Sequence, residues 1–139
     1  LETRIRYLVD TNIWLERLLD QDKSEIVAKF LDTIPLENLF ISDFASHSIG
    51  VILSRLNKLD VLENFTKDLF LNGQIKQLSL SAIDTLDVVS NIRKYKLDFD
   101  DAYQLTISQK YELTIVTFDK DFNAKGVMKI SPEEINGIQ

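Results

Sequence analysis

Ile5-Arg6-Tyr7-Leu8-Val9 runs directly into Asp10-Thr11-Asn12. The first five residues are short, β-prone and mostly apolar, which predicts a strand. The next three are turn and capping residues, so the strand ends by presenting Asp10. The same order returns late in the chain, where Leu113–Thr117 reads as a strand and Phe118-Asp119 follows it. Between these two stretches, apolar residues recur at helical spacing. Ile26, Val27, Phe30, Leu31 and Ile34 predict a helix closed by Pro35. Leu39-Phe40-Ile41 predicts a second strand, with Ser42-Asp43 as the cap of the helix after it. Ala45, Ile49, Ile52, Leu56 and Leu59 fall on one face of that helix. A further helix carries Leu62, Phe65, Leu69 and Phe70 and ends near Asn72-Gly73. Ile75–Leu80 predicts a third strand. Ser81 and Asp84 form a capping box ahead of a helix carrying Ile83, Leu86, Val89 and Ile92. Another helix begins about Asp101, and Val127–Ile130 predicts a last strand. Strands that alternate with helices indicate an α/β fold with a mainly parallel sheet and helices on both faces. With no internal repeat and no linker-like tract, residues 1–139 are expected to form a single domain.

Composition excludes several chemistries. There is no cysteine, hence no disulfide, thiolate metal site or thiol nucleophile. One histidine, His47, leaves no site that needs two imidazoles. Sixteen basic against twenty-two acidic side chains give a formal net charge of −6, the wrong sign for gripping nucleic acid by bulk charge. No apolar run approaches membrane-spanning length, and a cytoplasmic protein is expected. The densest basic stretch, Arg93-Lys94-Tyr95-Lys96, precedes the acidic Asp98-Phe99-Asp100-Asp101. Trp14, Leu15 and Leu18 are expected to pack on a neighbouring helix.

Open α/β sheets bind ligands at the carboxyl ends of their strands. Asp10 and Asp119 both follow predicted strands, and Asp101 sits at a helix start, where the helix dipole favours a carboxylate. Three carboxylates brought together repel unless protonated or joined by a cation. Oxygen ligands alone suit Mg²⁺ or Mn²⁺, which also take phosphate oxygens and activate water. Each residue also has a plainer reading: Asp10-Thr11-Asn12 as a capped turn, Asp101 as a helix-start charge, Asp119 and Asp121 as loop surface.

Three segments together resemble the PIN-domain family, which includes VapC-like ribonuclease toxins. They are Tyr7-Leu8-Val9-Asp10-Thr11-Asn12, Phe99-Asp100-Asp101-Ala102 and Thr117-Phe118-Asp119-Lys120-Asp121-Phe122. The resemblance implies a three-layer α/β/α sandwich. It implies a Mg²⁺- or Mn²⁺-dependent endoribonuclease, paired as a toxin with an antitoxin protein and forming a homodimer. It assigns Asp10, Asp101 and Asp119 as catalytic metal ligands. Asn12 would order the pocket, with Thr117 and Asp121 in supporting roles.

One position departs from the family pattern. The family carries a glutamate on the helix after the second strand, six residues past a serine such as Ser42. Here that position is Ser48, and no Glu occurs between Glu37 and Glu63. Ser48 offers a hydroxyl without charge, and Asp43, Asp98, Asp100 or Asp121 are candidates to compensate. His47, next to Ser48, points about 100° away from it on a helix and is expected at the surface or in packing. The departure raises a second reading, a PIN-like domain that binds RNA or protein with little or no cleavage. A phospho-signalling receiver domain is disfavoured, because Asp10 has no acidic neighbour and Leu78-Ser79-Leu80 supplies no acceptor aspartate.

Overall fold

A computed structural model describes residues 4–122 and 126–138. The opening stretch forms β1 (Tyr7–Val9) at the centre of a five-stranded sheet. The other strands are β2 (Leu39–Ser42), β3 (Lys76–Leu78), β4 (Thr114–Val116) and β5 (Lys129–Ile130). Their order is β3-β2-β1-β4-β5, and all four pairings are parallel. Among the described residues the helices are α1 (Thr11–Leu18), α2 (Ser24–Thr33), α3 (Asp43–Arg55), α4 (Leu59–Thr66), α5 (Thr85–Tyr95), α6 (Phe99–Lys110) and α7 (Pro132–Ile138). The three-layer α/β/α architecture expected from the sequence is the one observed.

The layers follow from the pleat, because successive strand residues face opposite sides of the sheet. Tyr7, Val9, Leu39, Ile41 and Val116 share one apolar core with buried residues of α1, α2, α3, α4 and α7. Leu8, Phe40 and Ile115 face the other side and pack with Val88 of α5 and Ala102, Leu105 and Ile107 of α6. Strands buried on both faces read as continuous apolar runs rather than as alternation, which is how β1, β2 and β4 appear in the sequence.

Four expectations need correction. α3 stops at Arg55, and Asn57 takes a left-handed φ of 57°, a common way to end a helix. Its buried face is therefore Ala45, Ile49 and Leu53, while Leu56 and Leu59 lie beyond its end and are exposed. Ile83 and Leu86 are also exposed; the capping box Ser81–Asp84 sets only a short 3-10 turn, and α5 buries Val88 and Asn91 instead. α6 begins at Phe99 rather than Asp101, because the Asp98 carboxylate accepts a hydrogen bond from the Asp101 amide at 2.9 Å and so caps it. α7 was not anticipated. Its signal was a second capping box, in which Ser131 Oγ accepts from the Glu134 amide and Glu134 Oε1 accepts from the Ser131 amide. α7 packs on α2, and the Asn136 amide donates to the Ile26 carbonyl.

The end of the α4 segment is right as read. A π-helical turn, Lys67–Leu71, extends α4, and the chain leaves it at Asn72-Gly73. A Cβ on Gly73 would lie 2.7 Å from the main-chain oxygens of Asp68 and Leu69, so only glycine fits there.

Ile115 is fully buried in the middle of β4. Ile115→Ala is expected to cost about 2–5 kcal/mol, read as a lower urea midpoint with an unchanged slope. A loss below about 1 kcal/mol would mean that β4 does not carry the core.

Candidate active site at the sheet switch point

The chain runs outward from β1 to β2 and β3 in one direction and to β4 and β5 in the other. The crevice where strand order reverses, between β1 and β4, is where such sheets bind ligands. The register aligns Val9 with Val116, so the next residues, Asp10 and Thr117, come side by side at the carboxyl edge. α1, α3 and α6 all start at this edge, because a helix between parallel strands must begin or end there. Their N-termini bias the edge toward negative charge.

Asp10 is 7% exposed and Thr117 is fully buried. Thr117 Oγ1 donates to Asp10 Oδ2 at 2.8 Å, and it accepts from Asn12 Nδ2 at 3.2 Å and from the Asp119 amide at 2.9 Å. A hydroxyl has one donor and two acceptor sites, so Thr117 is saturated. Asp10 Oδ1 accepts from the Thr11 amide at 2.8 Å and from Gln104 Nε2 at 3.0 Å. Every one of these partners donates to Asp10, an arrangement that suits a carboxylate. One lone pair on Oδ2 remains for a further ligand. Asn12 Oδ1 accepts from the Phe118 amide at 3.3 Å. Asn12 thus ties the first turn of α1 to the loop after β4.

Asp10, Asn12, Ser48, Asp101 and Asp119 line one pocket of about 310 Å³, together with Asp100 and Gln104. The sequence-derived set therefore converges, including the Ser48 that stands in place of glutamate. Asp121 lies in the short 3-10 turn Lys120–Phe122, and its side chain falls outside the described residues. Of the candidate compensators, Asp100 lines the pocket, Asp98 caps α6, and Asp43 Oδ1 accepts from the Tyr103 hydroxyl at 2.8 Å. His47 is exposed and does not line the pocket. Trp14 is 2% exposed; it stacks edge-on against Phe65 of α4 and donates its indole N–H to the Val9 carbonyl. Gln104 was missed by the sequence reading. Its signal was a polar residue three positions after Asp101, one turn along the same helix face.

Among the described residues, no three His, Cys, Asp or Glu side chains stand close enough to enclose an ion between them. The donor chemistry nevertheless fits Mg²⁺ or Mn²⁺. The lining is rich in carboxylate oxygen, one Asp10 lone pair is open, and Gln104 Oε1 is a buried acceptor without a partner. Mg²⁺ is commonly held by one or two carboxylates while it keeps several waters, rather than by an all-protein cage.

Burial pushes the Asp10 carboxyl above its usual range. Hydrogen bonds from Gln104, Thr117 and the Thr11 amide pull it back, and Asp119 pushes it up again, for a net rise. An acid whose folded-state pKa exceeds its unfolded value binds its proton more tightly when folded. Stability from this group is therefore greatest at low pH and is lost as pH rises from 3.8 through the raised value. In EDTA, the melting temperature of the wild type is expected to fall more steeply over that window than that of Asp10→Asn; parallel profiles would refute the burial cost. Thr117→Val strips partners from Asp10, Asn12 and the Asp119 amide at once. It is expected to cost about 1–3 kcal/mol, measured by urea unfolding, whereas a neutral result would show that the network adds nothing.

A family model described as "PIN domain" matches residues 7–127. Solved structures with the same fold include a toxin-antitoxin complex from Klebsiella pneumoniae, at TM-score 0.74 and 20% identity, over 91% of this chain and 97% of that one. FitAcB from Neisseria gonorrhoeae aligns at TM-score 0.71 and 24% identity, over 91% and 98% of the two chains. Mycobacterium tuberculosis VapC20, described as a sarcin-ricin loop cleaving toxin, aligns at TM-score 0.75 and 16% identity, over 89% and 98%. These likenesses are of fold. No curated protein sequence matches the chain significantly. The matched segment spans all three acidic motifs and all of the sheet up to the last strand, and by it this chain belongs to the PIN domain family.

Proposed function

We propose that this chain, a single domain over residues 1–139, is a divalent-metal-dependent endoribonuclease acting as the toxin of a toxin–antitoxin pair. The observation that carries the reading is the convergence of Asp10, Asp101 and Asp119 in one pocket at the sheet switch point. Membership of the PIN domain family supports it, as does likeness to a toxin-antitoxin complex and to a toxin that cleaves the sarcin-ricin loop. The partners in this reading are an RNA substrate, an antitoxin protein and a second copy of the chain. No helix among the described residues is long and apolar enough to cross a membrane, and the proposed setting is the cytoplasm.

Asp10, Asp101 and Asp119 would hold Mg²⁺ or Mn²⁺. Bound there, the cation supplies charge neutralisation at a phosphodiester and a lowered pKa for water. The protein's part is to fix its carboxylates in place. Thr117, the Thr11 amide and Gln104 hold Asp10 as an acceptor, and Asn12 locks the loop that carries Asp119 to α1. Ser48 presents a hydroxyl to the same pocket and leaves its charge one unit less negative than a glutamate would.

That substitution favours a second reading, an RNA- or protein-binding PIN domain with weak or no cleavage. One experiment decides between them. Mixed RNA is incubated with the protein and Mg²⁺ or Mn²⁺, beside Asp101→Asn and an EDTA control. Cleavage is expected, with a loss of at least about tenfold to a hundredfold in Asp101→Asn, the range seen even for changes behind the ligands of a metal site. EDTA should abolish it. A folded wild type that binds RNA without cutting it would establish the second reading, and gain of cleavage in Ser48→Glu would locate the cause.

A further inference from the structure

Gln104 sits one turn into α6 and is 2% exposed. Its Nε2 donates to Asp10 Oδ1 at 3.0 Å. Its Oε1 is buried and has no hydrogen-bond partner. Asp10 fixes which way round the amide lies, since the reverse orientation would set Oε1 against Oδ1, acceptor against acceptor. A buried acceptor left unpaired is costly, and native proteins rarely keep one without a reason. A donor is therefore called for at this point. The pocket lining contains four aspartates and no Lys, Arg or His. Carboxylates accept and do not donate, and the Thr11, Asn12 and Ser48 side chains that also line the pocket make no hydrogen bond to Oε1.

A hydrated cation would meet both the missing donor and the excess of negative charge. We infer that Gln104 is part of the cation site, with Oε1 accepting a hydrogen bond from the hydration shell of a divalent cation while Nε2 holds Asp10. This rests on the metal-dependent reading above and goes further, because it makes the site one for a hydrated ion. Bound Mg²⁺ usually retains several waters, and each such water brings donors that a buried acceptor like Oε1 can take. Gln104 is a positioning residue in this scheme, acting through the ion's waters and through Asp10.

The test needs neither RNA nor cleavage. Mn²⁺ is titrated into purified protein and the free ion is read by electron paramagnetic resonance, for the wild type, Gln104→Met and Gln104→Glu. Met matches the shape of Gln without its acceptor, and is expected to weaken Mn²⁺ binding about tenfold or more. Glu keeps the oxygen and adds charge but loses the Nε2 donor to Asp10, and is expected to bind Mn²⁺ more tightly than Gln104→Met. If Gln104 merely fills space, both variants will bind Mn²⁺ as the wild type does, and the inference fails while the nuclease reading stands. Hexamminecobalt(III), an inert cation that binds only through its outer N–H donors, is then competed against Mn²⁺ on the wild type. Displacement is expected, and its absence overturns the hydrated-ion site even if neither variant folds. A wild type that binds no Mn²⁺ overturns this inference and the metal dependence together. Binding without RNA cleavage overturns only the nuclease reading.

Discussion

The parallel pairing of β1 with β4 is the constraint on which the rest depends. Once Val9 lies opposite Val116, the ladder continues for one more step, and the Asp10 amide donates to the Val116 carbonyl at 2.9 Å. Asp10 and Thr117 then have nowhere to go but against each other. The hydroxyl of Thr117 becomes the joint at which β1, α1 and the loop after β4 meet, because its donor and both acceptor sites are used there. A shift of register by one residue would turn Ile115 and Val116 to opposite faces and separate this joint as well. Core packing and pocket geometry are thus set by the same alignment, and neither can drift without the other.

Much of the architecture was legible in the sequence because the central strands are buried on both faces. Such strands appear as uninterrupted apolar runs, and the acids that follow them stand out by contrast. Amphipathic helices were located well and bounded less well. The stripe through Leu56 and Leu59 continued smoothly in the sequence but was broken in space by the left-handed turn at Asn57. The stripe through Ile83 and Leu86 crossed from a 3-10 turn, which holds Ile83, into the first turn of α5, which holds Leu86, and the two have different periods. Asp98, read as one of the acids that could compensate for the missing glutamate, proved to be the cap at the Asp101 amide. α7 was overlooked although Ser131, Pro132 and Glu134 form a regular helix start; seven residues carry too little periodicity to announce themselves.

Of the candidate site, the three acids were legible by their charge, Asn12, Ser48 and Thr117 only through the family resemblance, and Gln104 not at all. Carboxylates declare themselves by charge, whereas Gln104 and the saturated hydroxyl of Thr117 matter through whom they touch, which depends on partners about a hundred residues away. The electrostatics of the pocket depend on this hidden set. A buried Asp10 beside Asp119 would tend to hold its proton, and three donated hydrogen bonds oppose that tendency. The net charge of −6 adds a wider constraint. A polyanion approaching such a surface is repelled at long range, so its affinity must come from short-range contacts and from cations that neutralise the pocket.

The contacts that close the pocket span most of the chain: Gln104 reaches back 94 positions to Asp10, Asn12 reaches 105 to Thr117, and Thr117 reaches back 107 to Asp10. During synthesis, β1 emerges from the ribosome well before its central neighbour β4 and must wait for it. At roughly 5–20 residues per second, that wait lasts several seconds, during which Asp10 has neither Thr117 nor Gln104 to hold it. Prematurely terminated chains that stop before β4 hold the first acid but not the pocket. A growing polypeptide of this topology remains without its complete pocket until β4 has been made, a built-in delay between the first acid of the site and the groups that hold it.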